Sequence, residues 1–228
     1  MKAEEKARWI AERLHDRYGQ ISVAKRDPLE MLIRTILSQN TNDNNSEGAY
    51  RALIERFGNF AAVKNAEVDE IAAVIRIGGL HHQKAARIKQ ILNRIEKRER
   101  DLALSFLANY TLNGMMTWLL ASPGIGPKTA GIVVLFSFGK PYFPVDTHIR
   151  RVLTRVGVVG SSDDAHEQMN AILPRDPLFM KQLHLQLIRF GRELCHPQRP
   201  ACSQCLLRDL CNWRLGWVSG REDCPLAC

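Results

Sequence analysis

The stretch 123–146 holds residue types that could bind and attack a phosphorylated substrate. Gly124 and Gly126 precede Pro127 and Lys128. At both positions glycine permits a sharp turn of the backbone where a side chain would clash, and proline suits the first position of a helix. The free N–H groups of such a turn, together with the positive end of the helix dipole, favour an anion. The segment is predicted to bind a phosphate, and an ordinary helix connection is the alternative.

Lys128 and Asp146 are the side chains of this stretch that could take part directly in a reaction. An amine attacks carbon only when it is unprotonated, and a free lysine is almost fully protonated at neutral pH. A helix N-terminus and partial burial both favour the neutral amine. A carboxylate can stabilise developing positive charge or accept a proton. The alternatives are a solvated charge for Lys128 and a helix N-cap for Asp146, which is compatible with catalysis.

Closely spaced cysteines near the C-terminus form a second candidate chemical site, with the spacing C-x6-C-x2-C-x5-C. These four are Cys195, Cys202, Cys205 and Cys211. Zinc sites more often contain two separated C-x2-C pairs, whereas compact four-cysteine runs suit a [4Fe–4S] cluster. The spacing favours iron–sulfur, with zinc and structural thiols as alternatives. Cys224 and Cys228 fall outside the pattern and are expected to be free thiols.

The overall charge favours a polyanionic partner. The chain has 228 residues, with 32 Lys and Arg against 24 Asp and Glu, and a net charge of +8. Nucleic acid is the first candidate partner and an anionic membrane surface the second. No apolar run is long enough to span a membrane, and we expect no signal peptide, because the first ten residues lack its apolar core. We expect an intracellular protein with no membrane partner, cytoplasmic and nucleoid-associated if its source is prokaryotic.

Helical periodicity dominates the chain and predicts an all-α fold. Asp27 followed by Pro28 is a typical helix start, and apolar residues recur after it at helical spacing. Asp43 is predicted to cap the next helix. The later helical segments that the periodicity predicts are 114–121, 127–138, 147–156, 163–173 and 177–192.

The glycine turn with Lys128, the run around Asp146 and the cysteine spacing together resemble the endonuclease III family of helix-hairpin-helix DNA glycosylases. The resemblance extends over nearly the whole chain, from Pro28 to Cys211. It implies two helical lobes with an active-site cleft between them. The lobes are a six-helix barrel with the helix-hairpin-helix over 24–140, and an iron–sulfur cluster lobe formed by 1–23 and 141–228.

The resemblance also implies roles for individual residues. Lys128 matches the nucleophilic lysine of the family and Asp146 its catalytic carboxylate, while the four cysteines match the ligands of a [4Fe–4S] cluster. Gln39 matches a residue that enters the gap left by a flipped nucleotide, and Leu80 one that wedges into the opposite strand. The DNA-binding residues implied are Gln39, Leu80, His81, Lys84, Gly124 and Gly126. His148 is interpreted as supporting structure.

The function implied is a DNA glycosylase with AP lyase activity, which removes damaged, oxidised pyrimidines and then cleaves by β-elimination. Its partner would be double-stranded DNA with a damaged base or an abasic site, bound by a monomer. Two alternatives stay open: a monofunctional thymine or uracil mismatch glycosylase, and a non-catalytic helix-hairpin-helix DNA-binding protein. Departures from the family pattern at Asn42, Ser122 and Pro127 leave the preferred base undecided.

Overall fold

The computed structural model describes residues 1–99 and 101–216, which divide into two compact units. One unit is Lys25–Lys140, and the other joins Met1–Ala24 to the described residues from Pro141 onward. All regular secondary structure within the described residues is helical, so the all-α prediction is confirmed. Cys224 and Cys228 lie outside the described residues.

The unit 25–140 is built around its first helix. Its α-helices are α2 (Pro28–Leu37), α3 (Asp43–Phe57), α4 (Phe60–Asn65), α5 (Val68–Val74), α6 (His81–Glu96), α7 (Leu112–Leu120) and α8 (Pro127–Ile132). The predicted start of α2 is confirmed, because Asp27 Oδ1 accepts hydrogen bonds from the N–H groups of Leu29 and Glu30. The apolar side chains of α2 are buried, and α2 packs against α3, α6 and α8.

Several helix ends in this unit differ from the predicted ones. Asn42, not Asp43, caps α3, because the Asn42 side chain accepts from the N–H of Asn45. The helix α4, which periodicity did not predict, is capped by Asn59. The predicted helix 127–138 is α8 followed by a wider π-helical segment, Val133–Ser137, whose five residues are all buried.

The second unit consists of a helical bundle and a C-terminal loop. Its α-helices are α1 (Ala3–Tyr18), α9 (Thr147–Val156), α10 (Ala165–Ile172) and α11 (Pro177–Glu193). The helix α11 packs against α1 and α9, and α1 also contacts α10. The start of α10 is later than predicted, because the Asp164 side chain caps it by accepting from the N–H groups of His166 and Glu167. Among the described helices, none is long and apolar enough to cross a membrane.

Candidate functional site

A tight turn connects α7 to α8. The N–H of Ile125 donates to the carbonyl of Ser122 at 3.1 Å, and Gly124 between them has φ +77°. Proline followed by a positive-φ glycine is the pattern of a type II turn. A Cβ on Gly124 would lie 2.2 Å from Nε of Arg87, a residue of α6. The predicted requirement for glycine therefore holds at Gly124, for both its backbone and its packing.

The same requirement does not apply to Gly126. Its backbone is extended, with φ −97° and ψ 178°, which any residue adopts. A Cβ there would meet nothing within 4 Å. The predicted clash at Gly126 is therefore wrong, and the fold itself does not demand glycine at this position. What its missing side chain provides is open space immediately before α8.

Lys128 is the second residue of α8, after Pro127 at the first position. Its side chain is half-buried, whereas the next two residues, Thr129 and Ala130, are buried and anchor the helix. The lysine therefore stands on a fixed first turn, beside the open backbone at Gly126, and keeps access to solvent.

Gln39, in the loop after α2, is fixed against this turn by hydrogen bonds from both ends of its amide. Its Nε2 donates to the carbonyl of Gly124 at 3.2 Å and to Oγ1 of Thr129 at 3.3 Å. Its Oε1 accepts from Nη1 of Arg87 at 2.8 Å. The structure therefore brings the predicted gap-filling residue and the glycine turn together.

Leu80 lies in the turn just before α6 with an exposed side chain, 43% accessible. Its backbone is left-handed, with φ 47° and ψ 35°, which is rare for a residue with a branched side chain. Ile77, one turn earlier, is also exposed. His81 begins α6 and is half-buried, with its ring 4.7 Å from the ring of His82. An exposed apolar tip on a constrained backbone suits a wedge.

The predicted DNA contact of Lys84 requires a revision. Its side chain is fully buried, and its ammonium donates to the carbonyls of Leu37 and Gly78, both at 2.7 Å. Burial and the nearby Arg87 guanidinium lower the pKa of Lys84. An ammonium enclosed in this way does not reach a DNA phosphate. We therefore revise the predicted DNA contact of Lys84 to a role inside the protein.

Asp146, in the other unit, caps α9. Its Oδ1 accepts from the N–H of Ile149 at 2.8 Å, and its side chain is half-buried. One turn further along α9, burial lowers the pKa of Arg151, while the Asp146 charge acts in the opposite direction. Arg151 Nη2 lies 3.1 Å from Nδ1 of His148. The predicted N-cap and the predicted catalytic carboxylate are thus the same residue.

The cysteine loop is fastened to α9 by two arginines. Arg151 donates to the carbonyls of Gly191 and Cys195, each at 2.8 Å. Arg155 is buried and donates to the carbonyls of His196 and Pro197. Arg155 Nη1 also lies 3.3 Å from Sγ of Cys195. These cations hold the backbone of the loop and place positive charge beside its first sulfur.

The donor chemistry of the loop suits a metal centre. All four cysteines are half-buried, and none of them forms a disulfide. Burial, together with the charges of the other three cysteines, raises the pKa of Cys205 to about 11. Thiolates that lie near one another repel unless a cation lies among them. Across the described residues, however, no group of three or more His, Cys, Asp or Glu side chains is arranged to hold a metal ion.

The sequence patterns did not predict two further functional candidates, Arg87 and Arg155. Arg87 holds Gln39 and packs on Gly124, and Arg155 organises the cysteine loop. The only signal for Arg87 is its helical spacing from Lys84, which places both cations on neighbouring turns of one helix face. Arg155 carries no local signal, because its partners lie about 40 residues further along the chain.

Residues 33–175 match the family described as HhH-GPD superfamily base excision DNA repair protein. The endonuclease III of Thermotoga maritima is 32% identical over 212 residues, which is 92% of each chain. That of Sulfolobus acidocaldarius is 34% identical over 195 residues, 83% of this chain and 84% of the relative. The chain belongs to the HhH-GPD superfamily of base excision DNA repair proteins, and its predicted resemblance to endonuclease III is confirmed.

Solved structures agree with this assignment. A non-covalent endonuclease III–DNA complex is similar with a TM-score of 0.81 and 26% identity, over 95% of this chain and 98% of that chain. A trapped endonuclease III–DNA covalent intermediate is similar with a TM-score of 0.77, also at 26% identity, over 95% of this chain and 99% of that chain.

Proposed function

We propose that this protein is a DNA glycosylase with AP lyase activity that acts on oxidised pyrimidines in double-stranded DNA during base excision repair. The observation that carries the proposal is Lys128, half-exposed on the first turn of α8 beside the open backbone at Gly126. Membership of the superfamily and similarity to endonuclease III support both the glycosylase and the lyase activity.

Lys128 supplies the nucleophile. Its neutral amine attacks C1′ of the flipped nucleotide, and the C1′–N bond breaks, so the electron pair leaves with the base. Loss of a proton from the nitrogen and opening of the sugar ring give a Schiff base. Removal of a C2′ proton then expels the 3′ phosphate by β-elimination. Water finally hydrolyses the Schiff base and restores the lysine.

Asp146 acts as the carboxylate partner in base removal. Positive charge develops on the sugar as the base leaves, and a carboxylate stabilises it electrostatically. The same group can accept a proton from the attacking amine. Because Asp146 caps α9 through one oxygen, its position is set by the helix backbone and not by a flexible side chain alone.

The DNA-contacting residues open the duplex. Gln39 fills the gap that the flipped nucleotide leaves, and the exposed Leu80 wedges into the opposite strand. Filling the gap offsets part of the few kcal/mol that unstacking a base costs. Gly124 shapes the hairpin turn, and Gly126 leaves room for the sugar–phosphate backbone of the DNA.

We also propose that the cysteine loop carries a [4Fe–4S] cluster, with Cys195, Cys202, Cys205 and Cys211 as ligands. The support is the donor set: four half-buried thiols, none of them in a disulfide, on a loop whose backbone Arg151 and Arg155 hold. When bound, the cluster crosslinks the loop and stabilises its fold. Base removal and β-elimination involve no net oxidation or reduction, so these steps do not need the cluster for redox chemistry.

Borohydride trapping tests the function directly. A Schiff base between the wild-type protein and a duplex containing an abasic site is reduced to a stable covalent complex. Lys128→Gln is expected to abolish trapping while DNA affinity is kept, and Lys140→Gln in the same unit is the control. Trapping that persists in Lys128→Gln would assign the nucleophile elsewhere. A panel of duplexes with oxidised, deaminated and mismatched bases then identifies the base that the enzyme removes.

A further inference from the structure

One buried side chain joins two segments that carry Gln39 and Leu80, the probe residues that are proposed to enter the DNA duplex. The ammonium of Lys84 donates to the carbonyl of Leu37 and to that of Gly78, both at 2.7 Å. Leu37 ends α2 two residues before Gln39, and Gly78 lies two residues before Leu80. A single atom therefore links the backbone just ahead of each probe.

Lys84 holds the Leu80 turn at both ends. Its side chain bonds the carbonyl of Gly78, and its backbone N–H donates to the carbonyl of Leu80 at 2.9 Å. A left-handed conformation such as that of Leu80 is strained and persists only where the surroundings enforce it. The enclosed turn leaves the Leu80 side chain exposed and its direction fixed.

The Gln39 side of the link is equally constrained. The last carbonyls of a helix have no partner within the helix, so Leu37 would otherwise leave a buried acceptor unsatisfied. Lys84 satisfies it at the point where the chain leaves α2. Both of its acceptors are neutral carbonyls, and a cation is costly to bury without a carboxylate. A long apolar side chain would fill the same space without joining the two segments.

We propose that Lys84 is a positioning residue that holds the Gln39 loop and the Leu80 turn at a fixed separation, so that both probes enter the duplex at the same damaged base pair. The inference rests on the proposed glycosylase function. It assigns Lys84 no contact with DNA: the residue acts through Gln39 and Leu80.

The enclosure of Lys84 is tested on the wild-type protein without DNA. An amine-reactive acylating reagent, followed by peptide mass spectrometry, is expected to leave Lys84 unmodified under conditions that modify the exposed Lys97 at the end of the same helix. Modification of both lysines to the same extent would overturn the inference.

The functional test separates base flipping from chemistry. In Lys84→Met, which keeps the length of the side chain but loses the donors, the single-turnover rate of base excision from duplex DNA is expected to fall roughly tenfold or more. Cleavage at an abasic site in single-stranded DNA, which has no stacked partner to open, should stay within about twofold. Lys97→Met is the matched control and should change neither rate. Equal losses in the two assays would mean a merely structural role and overturn the proposal.

Coupling to the probe residues gives a readout that general destabilisation would not produce. Gln39→Ala should slow excision by a much smaller factor in the Lys84→Met background than in the wild type, because a displaced loop already places the probe badly. The same factor in both backgrounds would contradict the link.

Lys84→Arg provides the second variant if Lys84→Met does not fold. Its guanidinium keeps donors near both carbonyls. The rate of base excision by Lys84→Arg should therefore be lower than that of the wild type and, where Lys84→Met can be measured, higher than that of Lys84→Met. Cleavage of single-stranded DNA by Lys84→Arg should be intact. Parallel loss of both activities in Lys84→Arg would overturn the inference.

A wild-type protein that neither removes a base nor cleaves abasic DNA would refute the proposed function, and the inference with it. An active wild type with an unaffected Lys84→Met refutes the inference alone.

Discussion

Asp146 Oδ1 accepts a 2.8 Å hydrogen bond from the N–H of Ile149, so the carboxylate proposed for catalysis also begins α9. The two roles need different properties of the side chain. Capping needs an oxygen acceptor, which asparagine also supplies. Electrostatic stabilisation of a positive sugar needs the negative charge. Substitutions at this position can therefore separate stability from chemistry.

Asp146→Asn is expected to remove several kcal/mol of transition-state stabilisation. The rate of base excision should therefore fall by roughly two to three powers of ten. The free energy of unfolding should change little, because the cap is kept. Asp146→Ala should lose the same activity and also about 1 kcal/mol of stability. Single-turnover excision and chemical denaturation measure the two effects. Full activity in Asp146→Asn would exclude the carboxylate from catalysis.

The glycines of the hairpin turn give a matched pair of variants. Gly124→Ala places a side chain at φ +77° and against Arg87, so it should cost about 1–2 kcal/mol of stability. Gly126→Ala has extended backbone and open space, and its stability should stay within about 0.5 kcal/mol of the wild type. Its affinity for duplex DNA should nevertheless fall. Unchanged binding by Gly126→Ala would show that DNA does not approach this backbone.

Metal analysis tests the cysteine loop. The purified protein should be brown, with about four iron atoms per chain and broad visible absorbance. Cys205→Ser should lose the iron, because it removes one of the four proposed ligands. Cys228→Ser, which lies outside the four-cysteine pattern, should keep it. A colourless protein that holds one zinc ion would contradict the iron–sulfur assignment.

Binding to undamaged duplex DNA should weaken steeply as salt is added. Lysines and arginines that neutralise phosphates release counterions from the DNA, and this release becomes less favourable at high salt. For about five phosphate contacts, the slope of log K against log salt concentration should be roughly −4 to −5. Fluorescence anisotropy at several salt concentrations measures it. A slope near zero would show that the net charge of +8 does not serve DNA binding.

Local features of the site were predictable from the sequence and long-range ones were not. The caps at Asp27 and Asp146 were found because each carboxylate bonds an N–H within three residues. The burial of Lys84 was missed, because its partner Leu37 is 47 residues away and a lysine in a basic helix normally faces solvent. Gly126 was misjudged for a different reason, which is local. Spacing identifies a glycine, whereas only the backbone angles show whether the fold requires it.

Alkaline pH should weaken the fold through Tyr142. Burial, with a smaller effect of Asp164, raises its pKa to about 12, against 10.0 ordinarily. Between these values the folded state keeps a proton that the unfolded state has lost, so the free energy of unfolding falls as pH rises. A pKa difference of this size between the folded and unfolded states corresponds to roughly 2.7 kcal/mol. Because the side chain is only half-buried, we expect a loss of about 1 kcal/mol after allowance for solvent screening.

Tyr142→Phe removes this titration and isolates it from other groups. Burial also raises the pKa values of Tyr18 and Tyr50, but both tyrosines are present in both proteins, so their contributions cancel in the comparison. Denaturation at pH 9 and again near pH 12 should show the wild type losing more stability than Tyr142→Phe over that interval. When the folded proteins are titrated, tyrosinate absorbance should show one tyrosine fewer that ionises at high pH in Tyr142→Phe than in the wild type. Equal losses of stability in the two proteins would mean that Tyr142 titrates alike in the folded and unfolded states.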